Sequence, residues 1–270
     1  MTVRRPLTAL LTALLLATTA CSGSQDSSTG PTVEPTEPQP TTPEPTTPEP
    51  TTPEPTTPEP TTPDPTTPEP PGADPVVREV PVEQWEEMVA SGMWREGCPA
   101  TREDLRRVEI NHVDFDGGIA RGVLVVNADV ADSVVRVFTR LFEEGFPIRR
   151  MRPVEEYDGD NDASMADDNT AAYNCRRPDQ INAPEDESPH ANGRAIDVNP
   201  LENPWMDLRC DCWSPSAEFA ARTEGRGKVL EGGLVWQTFV DEGWIWQNID
   251  VPDYMHFDTG YPSEPFTPRR

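Results

Sequence analysis

Ser188-Pro189-His190-Ala191-Asn192-Gly193-Arg194-Ala195-Ile196-Asp197-Val198-Asn199-Pro200 reads as a turn followed by a strand, with a histidine in the first and an aspartate in the second. Gly193 permits a tight turn, because without a Cβ it enters left-handed backbone at little cost. Beyond it, Ile196 and Val198 fall on one face of the strand while Ala195, Asp197 and Asn199 fall on the other. The turn folds His190 back over the strand, so that His190 and Asp197 can converge on one cation. Zinc takes imidazole nitrogen and carboxylate oxygen at about 2.0–2.2 Å. The competing reading of the same residues is a plain His–Asp hydrogen bond in a loop.

Of the three histidines, His112, His190 and His256, a second one also has acids close by, in Asp253-Tyr254-Met255-His256-Phe257-Asp258. In an ideal strand Asp253 and His256 would point to opposite faces. Pro252 makes a turn there plausible, and with Asp253 in that turn its carboxylate can lie beside His256. This supplies a third ligand and an unligated acid next to it. His112 sits in an alternating apolar strand and reads as structural. The acidic run Asp158-Gly159-Asp160-Asn161-Asp162 begins like a calcium loop. Such a loop needs Gly at its sixth position and Glu at its twelfth, and here Ala163 and Asn169 stand there. It reads instead as a solvated acidic rim of a cleft.

The two segments together resemble the zinc D-alanyl-D-alanine carboxypeptidases and L-alanyl-D-glutamate endopeptidases that cut peptidoglycan stem peptides. That family carries Ser-x-His-x-x-Gly-x-Ala-x-Asp, matched by Ser188, His190, Gly193, Ala195 and Asp197, and an acid three residues before a late His, matched by Asp253 and His256. Upstream, Ser164-Met165 and Asn169 through Arg176 look like the family's arginine-bearing segment. The similarity runs from about Gly97 to Phe257. It implies one zinc ion held by His190, Asp197 and His256, with a fourth position left for water, whose pKa falls toward 7. It implies that Asp253 accepts the water's proton and passes it to the leaving amine, and that Arg176 stabilises the oxyanion. Ser188 and Arg194 are the expected substrate contacts, with Arg149 and Arg150 as rivals of Arg194. A wall-binding lipoprotein that kept the scaffold without turnover is the alternative from another class. A purely structural zinc domain would need a fourth protein ligand, and none is evident.

The rest of the domain, residues 75–270, reads as α+β with a small antiparallel sheet, flanking helices and the zinc site in a cleft. Trp85, Met88 and Val89 at helical spacing, closed by Gly92, predict one helix. Thr101 predicts the N-cap of a short helix ending near Arg107. Strands are expected over 108–115 and 122–127 around the turn signal Asp116-Gly117-Gly118. A strong helix is expected over 129–144, with Val134, Val137, Phe138, Leu141 and Phe142 on one stripe. A strand near 195–199, helices near 216–222 and 234–241, and strands near 244–247 and 254–258 follow. Trp205, Trp213, Trp236, Trp244 and Trp246 are expected mostly in the core, with Trp246 able to line the cleft.

The N-terminal third belongs to a different class. Arg4 and Arg5 precede an apolar run from Leu7 to Ala17, then Thr18-Thr19-Ala20-Cys21. This is the layout of a secretory signal, too short to span a bilayer. It resembles the bacterial lipoprotein signal, in which Cys21 would be freed and acylated, although Thr18 stands where Leu is usual. An ordinary cleaved signal with a free Cys is the alternative. Residues 22–74 are a Pro/Thr/Glu spacer in which Thr-Thr-Pro-Glu-Pro repeats from Thr41 to Pro70. Such sequence has nothing to bury and its prolines favour polyproline II. At about 3.1 Å per residue, residues 31–74 would reach roughly 130 Å. The expectation is an exported, membrane-tethered monomer whose only hold on lipid is the anchor, with its domain facing the wall.

Charge and cysteines bound the rest. The net charge of −26 argues against a nucleic-acid partner, which needs a basic face. Cys98, Cys175, Cys210 and Cys212 form an even set, which in an exported domain favours disulfides. The absence of a CxxC pair makes zinc binding by these cysteines the weaker choice. Cys210 and Cys212 look too close in sequence to bridge each other, so each is expected to pair with Cys98 or Cys175.

Overall fold

The computed structural model describes residues 71–177 and 186–268. The signal-like segment, Cys21 and the Thr-Pro repeats lie outside the described residues. The first strands are β1 (Val76–Glu79), exposed along its length, β2 (Leu105–Val113), where buried positions alternate from Val108, and β3 (Ile119–Asn127), with α1 (Val82–Ala90) between the first two. The three strands make an antiparallel sheet in the order β1-β2-β3. The turn at Asp114–Gly118 is fixed by Asp114, whose Oδ1 accepts the Asp116 and Gly118 amides. Chain just before β1 already belongs to this body: Ala73 is buried and its carbonyl accepts the Asn111 amide at 2.8 Å.

Both faces of β2–β3 are covered. Val108, Ile110, Leu124 and Val126 face the stripe of α2 (Ala131–Glu143), where Val134, Val137, Phe138 and Leu141 are buried. Leu105 and Val125 face the other way, into a cluster with Met88, Met93, Tyr173 and Cys175. In α1, Met88 is buried whereas Val89 points outward.

The second half of the domain is built from short pieces: β4 (Arg150–Met151), α3 (Asn161–Ala166), β5 (Asn169–Thr170), β6 (Ala195–Asp197), β7 (Trp205–Asp207), β8 (Cys212–Ser214), α4 (Leu234–Asp241), β9 (Ile245–Trp246) and β10 (His256–Asp258). β6 and β9 flank β10 in a second antiparallel sheet. β7 and β8 form a hairpin, and β4 pairs with β5 in parallel. The α+β expectation holds, although the expected small sheet is divided into several and one pair is parallel. The inner strand β10 is seated on the core through Phe257, which stacks on Phe239 of α4 with ring centroids 4.0 Å apart. Trp244 closes the seam to α2 by donating from Nε1 to Ser133 Oγ at 2.9 Å.

Three expectations are corrected. Thr101 does cap a helical turn, with Asp104 Oδ2 accepting from its amide and hydroxyl. That turn spans only Arg102–Asp104, because Leu105 is buried as the start of β2. No helix forms over 216–222. There the Ser216 hydroxyl accepts the Glu218 amide and the Arg222 guanidinium donates to the Phe219 carbonyl, both competing with helical bonding, while Arg222 also ties the segment to the Glu202 and Val229 carbonyls outside it. The disulfides are Cys98–Cys175 and Cys210–Cys212. The β7–β8 hairpin reverses the chain between the latter two, with Asp211 left-handed, and brings their Cα atoms to 5.2 Å. Two residues of separation are therefore enough when a turn lies between them. None of the described helices is long and apolar enough to cross a membrane.

Candidate metal centre

The register of β6 against β10 places Asp197 directly opposite His256. Residues paired this way in an antiparallel ladder share a face, and His256 Nδ1 lies 3.1 Å from Asp197 Oδ1. His190 arrives from the turn before β6. Gly193, at φ +70°, allows that turn and packs so closely on β3 that an added Cβ would lie 2.7 Å from the Asn127 nitrogen. The turn is held by the Gly193 amide donating to the His190 carbonyl at 3.0 Å. It carries His190 Nε2 to 3.1 Å from His256 Nδ1 and 3.3 Å from Asp197 Oδ1.

The outer nitrogens settle which ring atoms face inward. His190 Nδ1 lies 2.7 Å from the Ala172 carbonyl, which can only accept, so Nδ1 carries the proton. His256 Nε2 donates to Asp258 Oδ2 at 2.9 Å. Asp258 is fully buried, and its Oδ1 accepts from Asn248 Nδ2 and the Gly260 amide. In the neutral tautomers that metal ligation requires, His190 Nε2, His256 Nδ1 and Asp197 Oδ1 are three acceptors facing one another. A cation resolves that repulsion. Their separations of 3.1, 3.1 and 3.3 Å approach the roughly 3.3 Å edge of a tetrahedron with zinc-like bonds of about 2.0–2.1 Å. Among the described residues this is the one His/Cys/Asp/Glu group with such convergence. The donor set fits zinc.

The charges agree. Burial opposes ionisation of Asp197, yet His190 and His256 hold its carboxyl well below the usual carboxylate range. Burial likewise opposes a charge on His256, but the Asp197 and Asp258 carboxylates outweigh it and raise its pKa. Asp253 lies in the turn before β10, where the His256 amide donates to its carbonyl at 3.3 Å. Its Oδ1 is buried with no hydrogen-bond partner among the described residues. Burial pushes the Asp253 carboxyl up to about 7, with Asp197 and Asp258 adding to the rise and His256 and Arg176 opposing it. An acid that is buried, near neutrality and beside a metal-type donor set is the expected state of a proton carrier.

His190, Asp197, Asp253 and His256 line a cleft of about 470 Å³. A family model described as D-alanyl-D-alanine carboxypeptidase matches residues 182–259, which contain all three donors and Asp253. This stretch matches a peptidase family. The match is narrower than the resemblance in sequence, which runs from Gly97 to Phe257, and it leaves Arg176 outside. No curated protein and no solved structure gave a significant match to the chain.

The remaining expected site residues divide. Arg176 lines the cleft in left-handed backbone, with burial lowering its pKa and Asp197 and Asp253 raising it. Ser188 also lines the cleft, and its Oγ accepts the Ala191 amide at 3.3 Å, so it shapes the histidine turn as well. Arg194 does not reach the cleft. It stands three residues before Asp197, hence on the opposite side of extended chain, and pairs with Asp129 at 3.0 Å. Arg149 is held by Asp168 and Glu202, and Arg150 by Asp167. Asp160 caps α3 by accepting the Ala163 amide, and with Asp162 it forms part of the cleft rim. His112 is buried beside its neighbour's carbonyl, as a structural residue would be. Trp205 rather than Trp246 contributes to the cleft. Sequence reasoning missed Asp258, although its position two residues after His256 in a strand already puts it on the imidazole's side.

Proposed function

We propose that the domain is a zinc-dependent peptidase that hydrolyses D-amino-acid-containing stem peptides of peptidoglycan. One observation carries the reading: two imidazole nitrogens and a carboxylate oxygen stand 3.1–3.3 Å apart beside the buried carboxyl of Asp253. The family match over the same residues supports it. Zinc held by such a donor set supplies Lewis acidity and activates water near neutral pH. His190, Asp197 and His256 would hold the ion. Ala172 and Asp258 keep the imidazoles in the tautomers that ligation requires. Asp253 takes the proton of the attacking water on its Oδ1 and returns it to the leaving amine. Arg176 offers N–H groups to the carbonyl oxygen as negative charge develops there.

The N-terminal sequence supports placement of this monomeric enzyme outside the membrane, anchored by lipid at Cys21 and spaced toward the wall by residues 22–74. The test is to incubate the protein with defined stem peptides and weigh the products, with and without a chelator. About one zinc per chain and chelator-sensitive release of a D-amino acid or a stem fragment are expected. A zinc-loaded protein that leaves every peptide intact would support the non-catalytic wall-binding alternative.

A further inference from the structure

One wall of the cleft comes from the β7–β8 hairpin, outside the strands that hold the donor set. The hairpin is mounted on the Asp253 segment: Trp205 bridges to Asp253, and the Met206 amide donates to the Pro252 carbonyl at 2.8 Å. Its turn presents Arg209, which lines the cleft with about half its side chain exposed. Asp207 fixes the guanidinium plane. Arg209 Nε donates to Oδ1 at 2.7 Å and Nη2 to Oδ2 at 2.5 Å, while the Arg209 amide also donates to Oδ1. The Cys210–Cys212 disulfide closes the turn immediately afterwards. Arg209 Nη1 has no acceptor among the described residues.

An arginine whose fork is already oriented loses little side-chain freedom on binding an anion, and its remaining N–H groups match a carboxylate. The other cleft arginines are differently engaged: Arg176 is buried near Asp197 and Asp253, and Arg177 approaches Asp160 at 3.9 Å. Asp207, and more remotely Asp162, hold the Arg209 pKa above its ordinary value, so it stays charged at any working pH.

We infer that Arg209 is a specificity-determining residue that binds a substrate carboxylate through its Nη1 edge. The carboxylate is either the free C-terminus of the peptide or that of an acidic residue flanking the scissile amide. This rests on the peptidase reading above and adds to it the substrate's charge.

The test pairs wild type with Arg209→Gln and Arg209→Lys on three peptides: a free-acid peptide, its C-terminal amide, and the same peptide with its acidic residue changed to the amide. For wild type, kcat/KM should fall by about 10–100-fold when the recognised carboxylate is removed, as expected for loss of a charge-assisted contact. Which of the two altered peptides shows the fall identifies the source of the carboxylate. Arg209→Gln should lose a similar factor on the free-acid peptide and show no further fall on the altered one, with Arg209→Lys recovering part. Should Arg209→Gln keep the full wild-type preference, the inference is overturned. If wild type cleaves none of the peptides, the peptidase reading fails first. Calorimetry with the same free-acid and amide peptides then decides this one: a preference for the acid that Arg209→Gln abolishes supports it, and any other pattern overturns it.

Discussion

His256 and Asp197 face each other across the β6–β10 pair, and this register alone brings imidazole Nδ1 and carboxylate Oδ1 to 3.1 Å. A slip by one residue would send one of the two to the far face. The centre therefore depends on whatever fixes β10, namely Phe257 against Phe239 on one side and Asp258 on the other.

Asp258→Ala should weaken zinc binding by about 10–100-fold, because His256 loses the partner that orients its ring. Asp258→Asn, which keeps an acceptor, should fall between the alanine variant and wild type. Competition against a chromogenic chelator measures both, and equal affinity in all three proteins would show that Asp258 does not position His256.

Asp253→Ala should retain the metal and lose turnover by about 10²–10⁴-fold, the usual share of a positioned acid–base group. Metal analysis alongside peptide kinetics checks the two halves separately. Wild-type turnover in this variant would place the proton carrier elsewhere.

Gly193→Ala tests the turn. At φ +70°, with the Asn127 nitrogen 2.7 Å from where the new Cβ would sit, the substitution meets backbone that has little room to yield. A loss of stability of at least about 1–2 kcal/mol is expected from the left-handed conformation alone, read as a lower denaturation midpoint. Zinc content should fall with it, since the turn carries His190.

Glu155 predicts a pH dependence. Gln84 Nε2 donates to its Oε1 at 2.7 Å while Oε2 is buried without a partner among the described residues. Burial pushes this carboxyl from 4.5 up to about 7. The folded state therefore holds the proton more tightly than the unfolded chain. Stability is greatest below about 4.5 on this account, declines as pH rises toward 7, and carries the full penalty, at most about 3 kcal/mol, above it. Glu155→Gln should melt higher than wild type at pH 8 and about equally at about pH 4, below the unfolded pKa. A constant difference across that range would mean the carboxyl does not titrate as described.

The convergence of His190 and Asp197 was legible in sequence because a glycine-bearing turn restricts where a strand can follow, and the family resemblance added His256. Helices 82–90, 131–143 and 234–241 were legible for a similar reason, their apolar stripes having no other use. The cysteine pairing was hidden, since the β7–β8 strands are three residues each and give no periodic signal. Arg194 misled because proximity in a motif says nothing of direction, and Asp129 lies on the other side. The segment 216–222 carries helix-compatible residues, but Arg222 ties it to the Glu202 and Val229 carbonyls, contacts no local pattern encodes.

The bond between Cys98 and Cys175 spans 77 residues and ends one position before Arg176. Closing a loop of that length restricts the unfolded chain by about 4.5 kcal/mol on the chain-entropy account. It also ties the arginine's segment to the chain that follows α1. With the thiols reduced, that tie would rest on Arg95, whose Nη1 donates to the Arg176 carbonyl at 3.0 Å. Reduction would thus loosen the cleft wall that carries this arginine, whereas none of the three converging metal-type donors is itself a cysteine.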